Sequence, residues 1–133
     1  MLRLSEQTTT VRPKTPRVLV VEDNALIALD LEEILKNSGC CVVGPSVTVQ
    51  DAMLIVDQEG IDVAIIDFLL EDGVASPLAQ YLDEKQIPFA LCTGRDAHEL
   101  SVHFPSTPIL GKPYNPDDVA LVVNSLIASR LSA

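Results

Sequence analysis

The chain has 133 residues, 47% of them hydrophobic, with three Phe, two Tyr and no Trp. That suits a single aliphatic core, since one domain typically holds ~100–150 residues. Nineteen acidic against nine basic residues give a net charge of −10, which repels nucleic-acid phosphates and suits a metal, a cationic ligand or a basic protein surface. No apolar run approaches the ~20 residues that cross a bilayer, and no signal-peptide segment opens the chain. A cytoplasmic protein without nucleic-acid or membrane partners is expected.

Residues 1–16 mix Thr8-Thr9-Thr10, Pro13 and Pro16 with Arg3, Arg12 and Lys14 and show no hydrophobic period, which predicts a flexible arm. Arg17-Val18-Leu19-Val20-Val21 is a short apolar strand running into Glu22-Asp23-Asn24, where Asp23 or Asn24 can cap the helix that follows. That helix, near 25–37, has Ile27, Leu31, Ile34 and Leu35 on one face and ends at Gly39. Cys40 to Val43 is a second strand, ended by Gly44-Pro45, and Thr48 caps a second helix with the stripe Ala52, Ile55 and Val56.

The third strand, about 61–67, rises through Val63-Ala64-Ile65-Ile66 and stops on Asp67. A loop, 69–73, leads to a helix carrying Leu78, Ala79 and Leu82. Pro88 to Cys92 is a fourth strand ending on Thr93-Gly94, and a short, weakly patterned helix follows near 96–103. Pro108 to Gly111 is a fifth strand ending on Lys112-Pro113; Pro116 then opens a last helix whose core face is Val119, Val122, Val123 and Leu126. The three cysteines, Cys40, Cys41 and Cys92, lie in apolar runs without metal-ligand spacing and read as reduced, buried thiols.

Five strand–helix repeats with continuous apolar strands predict an α/β domain over 17–130, a doubly wound (βα)5 fold on a five-stranded parallel sheet, with 131–133 as a short tail. In such a sheet every strand end lies on one edge, where ligands bind. Glu22, Asp23, Asp67, Thr93 and Lys112 therefore converge. Clustered carboxylates repel one another and invite a divalent cation. Mg2+, which takes carboxylate oxygens and shares phosphate oxygens, fits the set. Cation and lysine would let a phosphoryl group approach Asp67, a carboxylate able to act as nucleophile.

With these segments the chain resembles a bacterial two-component response-regulator receiver domain of the stand-alone, flavodoxin-like type. The resemblance rests on Val18-Leu19-Val20-Val21-Glu22-Asp23-Asn24, Ile65-Ile66-Asp67, Thr93-Gly94 and Lys112-Pro113, and it covers about 17–130. It implies Asp67 as phosphoacceptor, and Glu22, Asp23, Asp67 and the Leu69 backbone carbonyl as Mg2+ ligands. It further implies Thr93 and Lys112 as phosphoryl contacts and a cis Lys112–Pro113 peptide. The donor would be a sensor histidine kinase or a histidine phosphotransfer protein. Ala25, Leu26 and Leu29, off the core stripe of the first helix, are candidates for docking it.

The chain departs from the family pattern where Glu22-Asp23 replaces the usual Asp pair, where the loop after Asp67 is short, and where Ile109 stands at the aromatic switch position. The last helix is followed by only a few residues, so output by contact with a downstream protein, as a monomer or a phosphorylation-linked homodimer, is expected rather than DNA binding. Self-phosphorylation with slow autodephosphorylation is expected, without enzymatic turnover. Two other readings are a phosphorylation-independent pseudo-receiver and a metal-dependent phosphohydrolase. The latter wants a second Asp where Leu69 stands.

Overall fold

The computed structural model describes residues 15–70, 72–94 and 97–132. Most of the expected arm, together with Glu71, Arg95, Asp96 and Ala133, lies outside the described residues. The elements in chain order are β1 (Arg17–Val21), α1 (Ala25–Asn37), β2 (Cys41–Ser46), α2 (Val49–Gln58), β3 (Val63–Asp67), β4 (Leu69–Leu70), β5 (Gly73–Val74), α3 (Ser76–Glu84), β6 (Phe89–Thr93), α4 (Ala97–His103), β7 (Ile109–Gly111) and α5 (Pro116–Ser132).

Five parallel strands form one sheet in the order β2-β1-β3-β6-β7. This is the doubly wound α/β arrangement that the apolar strands predict. The period of two in each strand divides the core between the two faces. Val18, Val20, Val63, Ile65, Ala90 and Cys92 point to one side, where Leu31 and Leu35 of α1 and Val119 and Val123 of α5 cover them. Leu19, Val21, Ala64, Ile66, Phe89 and Leu91 point to the other, under Ala52 and Val56 of α2 and Leu78, Ala79 and Leu82 of α3. The chain order reverses at β1, so connections leave β1 and β3 in opposite directions and open a crevice beyond their carboxyl ends.

Two local features differ from the sequence reading. First, β2 does not stop at Gly44-Pro45 but continues to Ser46 across a cis Gly44–Pro45 peptide. The register with β1 slips between Leu19 and Val21 there. Gly44 has φ +101, and a Cβ on it would sit 2.8 Å from the Val20 carbonyl, so only glycine fits this crossing. Second, the loop after Asp67 closes into a small antiparallel hairpin, with Leu69 opposite Val74 and Leu70 opposite Gly73.

Candidate functional site

β1 and β3 are neighbours in parallel register, Val21 beside Ile66, so the residues that follow them emerge side by side. Of the two candidate caps, Asn24 takes the role: its Oδ1 accepts from the N–H groups of Leu26 and Ile27 at 3.0 and 3.1 Å. The Asp23 carboxylate is thereby left for other work. Glu22 Oε2 accepts from the Asn24 N–H at 3.1 Å. Ligand oxygens from Glu22, Asp23 and Asp67 all lie within 4.8 Å of one another. Glu22 and Asp67 are buried and Asp23 is exposed.

Lys112 follows β7, and its N–H donates to the Thr93 carbonyl at 3.0 Å. Its ammonium lies 2.8 Å from Glu22 Oε1 and 2.9 Å from Asp67 Oδ2. Burial pulls this lysine toward neutrality, but the two carboxylates outweigh it and raise its pKa above the ordinary value. The Lys112–Pro113 peptide is cis. Cys92, opposite Asp67 in β6, has its thiol pushed up to about 12 by burial. Tyr114, buried and hydrogen-bonded to that thiol, is raised by burial as well.

The donor set fits a hard divalent cation. Among the described residues, three carboxylates face a single ammonium, and Glu22 Oε1 is buried without a hydrogen bond. The Lys112 ammonium, 2.8 Å away, meets its charge. Leu69, whose backbone carbonyl is the other candidate ligand, opens the hairpin two residues beyond Asp67.

Thr93 is half-buried at the end of β6 and borders a cavity of about 560 Å³ floored by Phe68, Leu100 and Phe104. The two rings meet edge to face at 5.9 Å. Ile109 is half-buried and packs on the α2–α3 side of the sheet. On α1, Ala25, Leu26 and Leu29 are exposed, and Leu26 joins Lys112 and Pro113 around a second hollow of about 410 Å³. Leu26 at 79% exposure and Leu29 at 62% bury little of their apolar surface against the rest of the domain. His98 and His103 are exposed on α4.

Sequence reasoning missed Ser46, whose carbonyl accepts from the Glu22 N–H at 2.8 Å. Asp72 reads in the sequence as part of a solvated loop able to tune metal affinity, but its reach to α2 is not foreseen, nor is the burial of Tyr114. The Ser46 carbonyl and the Asp72 carboxylate meet partners more than twenty residues away, which no local pattern reveals.

No family model matches the chain. SdrG from Sphingomonas melonis Fr1 superposes with a TM-score of 0.76 at 35% identity, covering 86% of this chain and 98% of that one. A second SdrG structure, its BeF3-activated conformation, attributed to Pseudomonas melonis Fr1, matches with a TM-score of 0.73 at 38% identity over 84% of this chain and 95% of that one. The response regulator PhyR from Brucella abortus gives a TM-score of 0.78 at 25% identity, covering 95% of this chain and 55% of that one. Among curated proteins, the transcriptional regulatory protein PdtaR of Mycobacterium tuberculosis is 30% identical over 107 residues, 77% of this chain and 52% of that protein. The chain spans about half the length of the curated relatives it matches.

Proposed function

Because the chain belongs to the response-regulator receiver family of two-component signalling, we propose that it accepts a phosphoryl group on Asp67. The donor is a phosphohistidine on a sensor kinase or a phosphotransfer protein. The observation that carries the reading is the buried Asp67 carboxylate, grouped with Glu22 and Asp23 and spanned to Glu22 by Lys112.

Glu22, Asp23, Asp67 and the Leu69 carbonyl would hold Mg2+. When bound, the cation supplies the positive charge that, with Lys112, cancels the three carboxylates and lets a phosphate approach. An Asp67 oxygen attacks phosphorus in line with the leaving imidazole. The P–O bond forms as the P–N bond breaks, and the electron pair returns to the ring nitrogen. Lys112 then holds one phosphoryl oxygen as a point charge and the Thr93 hydroxyl donates to another. Hydrolysis restores the carboxylate. The donor docks on Ala25, Leu26 and Leu29 beside the acids, where exposed Leu26 borders Lys112 and Pro113. Output passes through contact with a cytoplasmic protein, as a monomer or as a phosphorylation-linked homodimer, and the absence of an aromatic ring at Ile109 assigns the relay to other residues.

The test is incubation with Mg2+ and acetyl phosphate, followed by mass spectrometric mapping. An acid-stable, base-labile phosphoryl adduct on Asp67, lost in Asp67→Asn, is expected. Absence of both an adduct and Mg2+ binding overturns the proposal in favour of a phosphorylation-independent interaction module.

A further inference from the structure

We propose that Asp72 is a positioning residue for the cation site: it ties the hairpin that begins two residues beyond Asp67 to the N-terminus of α2, and Ser46 ties the Glu22 end of β1 to that same N-terminus. This rests on the reading of Glu22, Asp23, Asp67 and Leu69 as the Mg2+ ligands.

The first limb is the Asp72 carboxylate. Its Oδ1 accepts from the Val49 N–H at 2.9 Å and its Oδ2 from the Gln50 N–H at 3.3 Å. The N-terminal N–H groups of a helix lack partners within it. α2 already carries an ordinary cap, Thr48 Oγ1, which accepts from the Asp51 N–H at 3.1 Å. Asp72 therefore serves two groups that the local cap leaves open, and it does so from another segment.

The hairpin needs that outside hold. It has two residue pairs, Leu69 with Val74 and Leu70 with Gly73, and isolated hairpins are marginal in water. Leu69 and Val74 are exposed, and Leu70 is buried. The Ala75 N–H donates to the Phe68 carbonyl at 2.8 Å and closes the base. Leu70 holds the hairpin to the apolar core, and Asp72, near the tip, adds a polar tie to α2.

The second limb runs to the other ligand segment. The Ser46 hydroxyl donates to Asp51 Oδ2 at 2.9 Å, in the first turn of α2. The Ser46 carbonyl accepts from the Glu22 N–H at 2.8 Å. Ser46 is completely buried. One helix end thus holds two of the segments that present cation ligands, and the groups behind metal ligands set how well those ligands are aimed.

The experiment compares Mg2+ titration of the full chain with Asp72→Ala and Thr48→Ala by calorimetry, alongside thermal melts. Both variants uncap α2, but only the first releases the hairpin. Asp72→Ala is expected to weaken Mg2+ binding about 10-fold, and Thr48→Ala by less than about 2-fold, at comparable losses of melting temperature. Equal affinity in all three proteins, or an equal loss in both variants, overturns the proposal. In the unmutated chain, Mg2+ should slow amide exchange at Val49 and Gln50; unchanged exchange there also overturns it. Wild-type Mg2+ affinity in Asp67→Asn would instead overturn the underlying site assignment.

Discussion

Among the described residues, two guanidinium groups stand among two carboxylates where β1 and β3 begin; where they finish, one ammonium stands among three. At the first end the Arg17 N–H donates to Asp62 Oδ2 at 2.8 Å, and the Arg17 guanidinium reaches the Gly60 carbonyl at 2.6 Å and Glu59 at 3.0 Å. Arg130 of α5 donates to the carbonyls of Ile61 and Asp62 at 2.5 and 2.8 Å. These groups join α5, β1 and the approach to β3, their charges match, and Arg17, Glu59 and Arg130 remain substantially open to solvent. At the other end the excess is negative and partly buried, an arrangement that opposes folding unless something positive joins it. The contrast separates charge that fastens the chain from charge that the described residues leave uncompensated.

The largest effect expected from breaking this contrast is at Lys112. Lys112→Met removes the ammonium between Glu22 and Asp67 and should cost about 3 kcal/mol in urea unfolding at pH 7 without divalent cation. Added Mg2+ should recover more stability in this variant than in the wild type. A loss below about 1 kcal/mol would show that the acids do not need the lysine for folding.

Next in size is the pH dependence of that difference. The Lys112 pKa is raised in the folded protein, so its contribution is complete below the unfolded value of about 10.4 and fades as pH rises through the higher folded one. The gap between wild type and Lys112→Met should therefore stay level from about pH 7 to 9.5 and shrink only above about pH 10.4. A gap closing by about pH 9 would contradict the assigned partners.

At the balanced end the change is smaller. Arg130→Ala should cost about 1 kcal/mol through two lost hydrogen bonds to carbonyls, with Mg2+ affinity unchanged. A shifted affinity would mean that the two ends are coupled through β3.

The strand ends at the site were legible in the sequence because the first, third, fourth and fifth apolar runs lead into Glu22, Asp67, Thr93 and Lys112, and parallel connections place all such stops on one edge. Asp67 and Lys112 could be paired on that basis alone. Gly44-Pro45 misled, because the dipeptide marks turns, whereas here the ladder crosses it and resumes to reach Ser46. The hairpin after Asp67 is too short to show a period. Asp72 next to Gly73 reads as turn chemistry, and nothing nearby reveals that its carboxylate closes a helix more than twenty residues earlier. Local pattern speaks for elements, and long-range capping speaks only through the fold.

Tyr114 gives the domain a built-in optical probe. With no Trp in the chain, ultraviolet fluorescence comes chiefly from two tyrosines. Tyr81 is half-buried on α3, its hydroxyl hydrogen-bonded to Asp57. Tyr114 is sealed against Cys92, which pairs in register with Asp67. Replacing Tyr81 with Phe would leave a single emitter beside the acidic cluster, so cation loading or acyl-phosphate formation could be followed as a change in emission from unlabelled protein.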